Sequence, residues 1–106
     1  MLSQEQLEIL VSEIVQRYRP DKVYLFGSYA NCNASWDSDI DLFIIKSTKT
    51  RKINWEIEVR QAIKSYPMVG MDTIVYTPEE MEIAEKDVAN IGKVAIATGK
   101  LMYEII

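Results

Sequence analysis

Between Lys22 and Tyr76, three short β-prone runs alternate with stretches of helical periodicity, and that succession narrows the possible folds more than any other feature. Lys22 to Phe26, with Val23-Tyr24-Leu25-Phe26 at its centre, reads as a buried strand. It runs into Gly27-Ser28, and a short helical turn follows through Tyr29 and Ala30. Asp39 to Ile45 reads as a second strand. Its period of two puts Asp39, Asp41, Phe43 and Ile45 on one face and Ile40, Leu42 and Ile44 on the other. Met71 to Tyr76 reads as a third, with Asp72, Ile74 and Tyr76 sharing a face.

The helical stretches surround these runs. Ser3 and Gln6 have the spacing of a capping box, and Leu7, Leu10, Val11, Ile14 and Tyr18 recur at helical spacing up to a stop at Pro20. Asn31 to Ser38 and the basic, Thr-rich Lys46 to Lys52 read as loops. Arg51 to Tyr66 reads as a helix with Ile53, Ile57, Ala62 and Tyr66 near one side. Thr77-Pro78-Glu79-Glu80 opens another, with an N-cap, a proline at the first position and acids in the first turn. A last helix is expected from Asp87 to Thr98, stopped at Gly99, and Leu101 to Glu104 suits a short edge strand. The order predicts an α/β fold of the α+β type, a mixed sheet flanked by helices.

A chain of 106 residues with no linker, repeat or low-complexity tract is expected to form one domain over residues 1–106. The net charge of −4 argues against an extensive basic surface for duplex nucleic acid, while leaving room for a small phosphate-bearing ligand. The start lacks a basic segment followed by an apolar one, and no apolar run approaches membrane-spanning length. Cys32 is the one cysteine, so a reducing cytoplasm is the expected compartment. There is no histidine, so any catalysis must rest on carboxylates and hard metal ions.

Three features could carry such chemistry. Asp39 and Asp41 project from one strand face, roughly 6 to 7 Å apart at the backbone, close enough to resist joint ionisation unless a cation lies between them. A Mg²⁺ ion, or two about 4 Å apart, would relieve the repulsion and bring phosphate oxygens in as further ligands. An isolated Asp-x-Asp is more often a solvated strand end. A calcium loop is excluded, because Leu42 stands where its glycine is required and Thr48 where its glutamate belongs. Gly27-Ser28 lets backbone approach a phosphate and supplies a hydroxyl, although by itself it could be a plain turn. Asp72 interrupts an apolar strand face. If the third strand lies beside the second, it could complete a three-carboxylate cluster.

Gly27-Ser28, then ten residues, then Asp39-Ile40-Asp41 between two apolar strands resembles the signature of the polymerase-β-type nucleotidyltransferases. The likeness is closest to their minimal prokaryotic members, often the antitoxin paired with a HEPN-domain toxin, and it extends from Val23 to Glu104. It implies that Gly27 and Ser28 hold the β- and γ-phosphates of a nucleotide such as ATP. It further implies that Asp39 and Asp41 bind a pair of Mg²⁺ ions, and that Asp72 completes the metal site and helps deprotonate the attacking hydroxyl. The implied reaction moves AMP onto a partner's tyrosine. Other readings are a degenerate module that neutralises its partner by contact, or transfer to a small molecule. The last is disfavoured because only about 60 residues follow Asp41, too few for an acceptor-binding domain. The chain departs from the family pattern where Ala-Arg-Gly is common and Ala30-Asn31-Cys32 stands here. That removes a positive charge near the phosphates, for which Lys46, Lys49 and Arg51 are candidate replacements.

Overall fold

The computed structural model describes residues 2–30, 34, 38–48, 54–66, 69–86, 90, 94 and 97–105. Helix α1 (Gln4–Tyr18) opens on the expected reciprocal box. Ser3 Oγ accepts from the Gln6 amide, and the Gln6 side chain accepts from the Ser3 amide at 2.8 Å. Arg19 closes the helix in the left-handed region at φ 55°, its amide donating to Val15 O. Strand β1 (Lys22–Phe26) leads into the single turn α2 (Gly27–Ala30), and β2 (Ile40–Ile45) follows. After α3 (Trp55–Ala62), β3 (Met71–Tyr76), α4 (Pro78–Ala84) and β4 (Lys100–Glu104) complete the described elements.

The sheet order is β3-β2-β1-β4. Both pairings of β1 are antiparallel, while β2 and β3 run parallel, so the sheet is mixed as the element order implied. Leu7, Leu10, Val11 and Ile14 of α1 and Trp55 and Val59 of α3 cover one sheet face, over Val23, Leu25, Ile40, Leu42, Ile44 and Val75. Tyr24, Phe43 and Ile45 form a smaller cluster on the other face with Met81 and Ala84 of α4. The Phe43 and Tyr76 rings meet edge to face at 5.0 Å there. Every residue of β2 except Asp41 is buried. A carboxylate in so apolar a strand needs a local reason.

Helix α4 is set by its first turn. Thr77 Oγ1 accepts from the Glu80 amide at 3.2 Å, and Glu80 accepts from the Thr77 amide at 3.0 Å. Thr77→Ala should cost about 1 kcal/mol. That would lower the melting temperature by about 4–8 °C, readable by thermal unfolding.

The structure corrects the reading of α3. Its buried face is Trp55, Val59 and Ala62, whereas Ile57 is 53% exposed. The helix ends at Ala62 rather than Tyr66, because Ile63 is extended and Glu13 of α1 accepts from the amide and hydroxyl of Ser65 at 3.1 and 3.2 Å. A tertiary contact thus draws the chain off its helical path. The second strand begins at Ile40 rather than Asp39. Of the expected Asp87–Thr98 helix, Val94, Ala97 and Thr98 are helical, and the Val94 amide donates to Asn90 O at 3.1 Å; most of the stretch lies outside the described residues. So do Asn31, Cys32, Lys49 and Arg51. No described helix is long and apolar enough to cross a membrane.

Candidate active site

The predicted carboxylates come together where β1 ends and the parallel pair begins. Asp41 and Asp72 are register partners on β2 and β3, and their side chains lie close enough for each charge to bear on the other. Across the other ladder Asp41 faces Phe26, so the next residue, Gly27, turns beside it. Gly27 has φ 73°, a conformation that costs side-chain-bearing residues free energy. A Cβ built there would lie 2.2 Å from Asp41 Oδ2, so the bare backbone leaves the space the carboxylate fills. The glycine therefore serves both the turn and the aspartate.

Asp39 is exposed just before β2, and its position is set by a second glycine that the sequence reading does not single out. The Ile40 amide donates to Gly70 O at 2.9 Å, which holds the two chain segments together. A Cβ on Gly70 would stand 2.2 Å from Asp39 Oδ1. The only sequence signal was a glycine two positions before an acidic strand residue. Ser28 is the second residue of α2, which packs against β2 at this end of the sheet. Tyr29 of the same turn anchors the chain start by accepting from the Leu2 amide at 3.1 Å. Lys46 does not replace the missing arginine. It lies beyond the opposite end of β2, donating to Tyr18 O with its ammonium over the Tyr18 ring.

Burial pushes the Asp41 carboxyl above its ordinary range. The Asp72 and Asp39 charges push the same way. The raised native value has a definite sign: ionised Asp41 destabilises the fold, and that cost fades as pH falls through the raised value toward 3.8. Asp41→Asn should therefore raise the melting temperature of the metal-free protein at neutral pH by a few degrees, and the gain should shrink as the pH is lowered toward 4. Thermal unfolding at several pH values, with a chelator present, checks both.

Among the described residues no three acids already surround one point as a cation cage. The donors nevertheless suit a hard divalent ion: they are carboxylate oxygens, mutually repelling, in a chain without histidine. Mg²⁺ in particular is usually held by one or two carboxylates and completed by substrate phosphates. Asp41 and Asp72, with Asp39 beside them, meet that requirement.

The helix-backed mixed sheet is a fold shared with solved structures. A candidate nucleotidyltransferase from Sulfolobus solfataricus aligns over 73% of this chain and 68% of its own, at 22% identity and a TM-score of 0.53. A toxin-antitoxin complex crystallised with AMP-PNP contains a chain that aligns over 92% of this one and 73% of its own, at 19% identity and a TM-score of 0.63. No functionally curated protein matches significantly. The sequence model of the polymerase beta nucleotidyltransferases matches residues 10–105. The chain belongs to that family.

Proposed function

We propose that the protein is a Mg²⁺-dependent nucleotidyltransferase that moves AMP from ATP onto a hydroxyl of a partner protein, a tyrosine of a HEPN-type toxin, and so acts as its antitoxin. The observation that carries this reading is the Asp41–Asp72 pair, in register on parallel strands and turned against Gly27. Gly27 and Ser28 would receive the β- and γ-phosphates. Asp39, Asp41 and Asp72 would hold the cations, two in the family's usual arrangement. When bound, Mg²⁺ supplies charge neutralisation at the phosphates and at the entering and leaving oxygens. Asp72 helps to accept the proton of the acceptor hydroxyl. The hydroxyl oxygen forms a bond to the α-phosphorus as the bond to the bridging oxygen breaks, and pyrophosphate departs with the displaced electron pair. Incubation with labelled ATP, Mg²⁺ and a cognate HEPN-type partner tests the proposal. Absence of label on the partner would refute it.

The replacement of the usual arginine by Asn31 favours a second reading, a module that neutralises its partner by contact. On that reading Asp39→Ala/Asp41→Ala would still protect cells from the toxin. Loss of protection would favour the enzyme.

A further inference from the structure

Gly70 makes room for the Asp39 carboxylate, yet glycine is the residue least able to hold a conformation by itself. Two hydrogen bonds hold it, one on each side of its Cα. The peptide unit that follows it is held from β2, through the bond from the Ile40 amide to Gly70 O at 2.9 Å. The unit that precedes it is held from α3, where Arg60 Nη1 donates to Val69 O at 2.6 Å. A peptide unit is planar, so anchoring its oxygen also restrains the Cα at its far end. Gly70 is thus clamped between a strand and a helix, and the chain enters β3 at the next residue. Asp72 follows within that strand, opposite Asp41.

Ordinary helical duties do not account for Arg60. It stands in the last turn of α3, where a basic side chain commonly bonds the terminal carbonyls of its own helix. Here it reaches instead a carbonyl 9 residues further along the chain. Glu56 stands one turn before it, at the spacing of a helical ion pair. Among the described residues, however, Arg60 has no ion-pair partner. Its charge is directed at a neutral oxygen, and a charge-assisted bond of this kind is stronger than a neutral one. The Val69 amide is engaged as well, donating to Tyr66 O at 3.2 Å, and its side chain packs against the core. The turn ahead of β3 therefore has a firm base, and Arg60 ties that base to α3.

We propose that Arg60 is a positioning residue for the cation-binding acids. Its grip on Val69 O fixes Gly70 and, through it, the place of Asp39 and the start of the strand that carries Asp72. The proposal rests on the reading of these acids as cation ligands, and it gives Arg60 no contact with cation or nucleotide.

Arg60→Met, which keeps the stem and removes the donors, and Arg60→Lys, which restores a donor, test it in the full chain. In the metal-free protein, hydrogen exchange of the Ile40 amide should quicken about tenfold in Arg60→Met, because its acceptor is no longer held. The Ile44 amide in the middle of β2 should change far less. Calorimetric titration with Mg²⁺, in the presence of a non-hydrolysable ATP analogue, should show an affinity lowered about 10–100-fold, the range for residues that orient metal ligands. Arg60→Lys should recover most of both losses. Thr77→Ala, which loosens the fold at α4 without touching this turn, should keep the wild-type Mg²⁺ affinity. Equal Ile40 exchange in Arg60→Met and wild type would overturn the proposal, as would an equal loss of Mg²⁺ affinity in Thr77→Ala. Wild-type affinity retained in Arg60→Met would overturn it alone. Wild type that binds no Mg²⁺ would refute the ligand reading of the aspartates, and the proposal with it.

Discussion

Asp39→Ala/Asp41→Ala should reduce label transfer from ATP by about a thousandfold or more while leaving the fold intact. The size follows from the cations that the carboxylates are proposed to hold. Charge stabilisation by bound metal is worth several kcal/mol in the transition state, and each 1.36 kcal/mol is about a factor of ten in rate. The fold should survive because Asp39 is exposed and burial disfavours ionised Asp41, which also bears the repulsion of Asp39 and Asp72. Removing both charges therefore relieves a cost in the metal-free protein rather than adding one. Initial rates of transfer, measured beside melting curves with and without Mg²⁺, separate the two effects. Wild type should gain stability from Mg²⁺ and nucleotide together, and the double variant should not. Transfer by the variant within tenfold of wild type would remove the assigned role from the aspartate pair.

The second large effect should come from a single methyl group. Gly27→Ala puts a Cβ 2.2 Å from Asp41 Oδ2, at a residue whose φ of 73° already disfavours a side chain. The left-handed conformation costs about 1–2 kcal/mol. The Asp41 carboxylate must also leave its position, because its Cγ and Cβ are only 3.1 and 3.4 Å from the new atom. Lowered stability is expected together with a loss of transfer approaching that of the aspartate variant. Gly70→Ala makes an instructive contrast. Its new Cβ meets Asp39 Oδ1 at 2.2 Å, but beyond the carboxyl group the next atom, Asp39 Cα, is 4.0 Å away, and Gly70 is not among the positive-φ positions. Rotation of one exposed carboxylate relieves the clash, so stability should change little while transfer falls by about tenfold, as for a modest displacement of a catalytic group. Equal melting temperatures for Gly27→Ala and wild type would show that the turn is not strained as described.

Local signals carried α1, β1 to β3 and the start of α4 because each is decided within a few residues. Ser3 and Gln6 cap one another, Pro20 ends the helical path, and Pro78 with Glu80 completes the turn begun by Thr77. The inward set of α1 was legible for the same reason: five residues at helical spacing all found the core. The face of α3 was not. Ile57 looks like a core residue in sequence, but the groove it would need is filled from Trp55, Val59 and Ala62, and only the packed neighbours decide that.

The Asp39, Asp41 and Asp72 carboxylates and the Gly27-Ser28 turn could be picked out from spacing, strand period and family resemblance. The amino-acid sequence by itself determined that two acids stand two residues apart at the start of a strand and that a flexible residue precedes them, since both depend on the local chain alone. What only the tertiary structure decided is who meets whom. The parallel register opposes Asp41 to Asp72, the antiparallel register brings Gly27 against Asp41, and Gly70 makes room for Asp39. Lys46, a candidate for the phosphate end, went instead to the far end of β2. These are contacts between residues distant in the chain, fixed by sheet register and by burial, and no local preference encodes either.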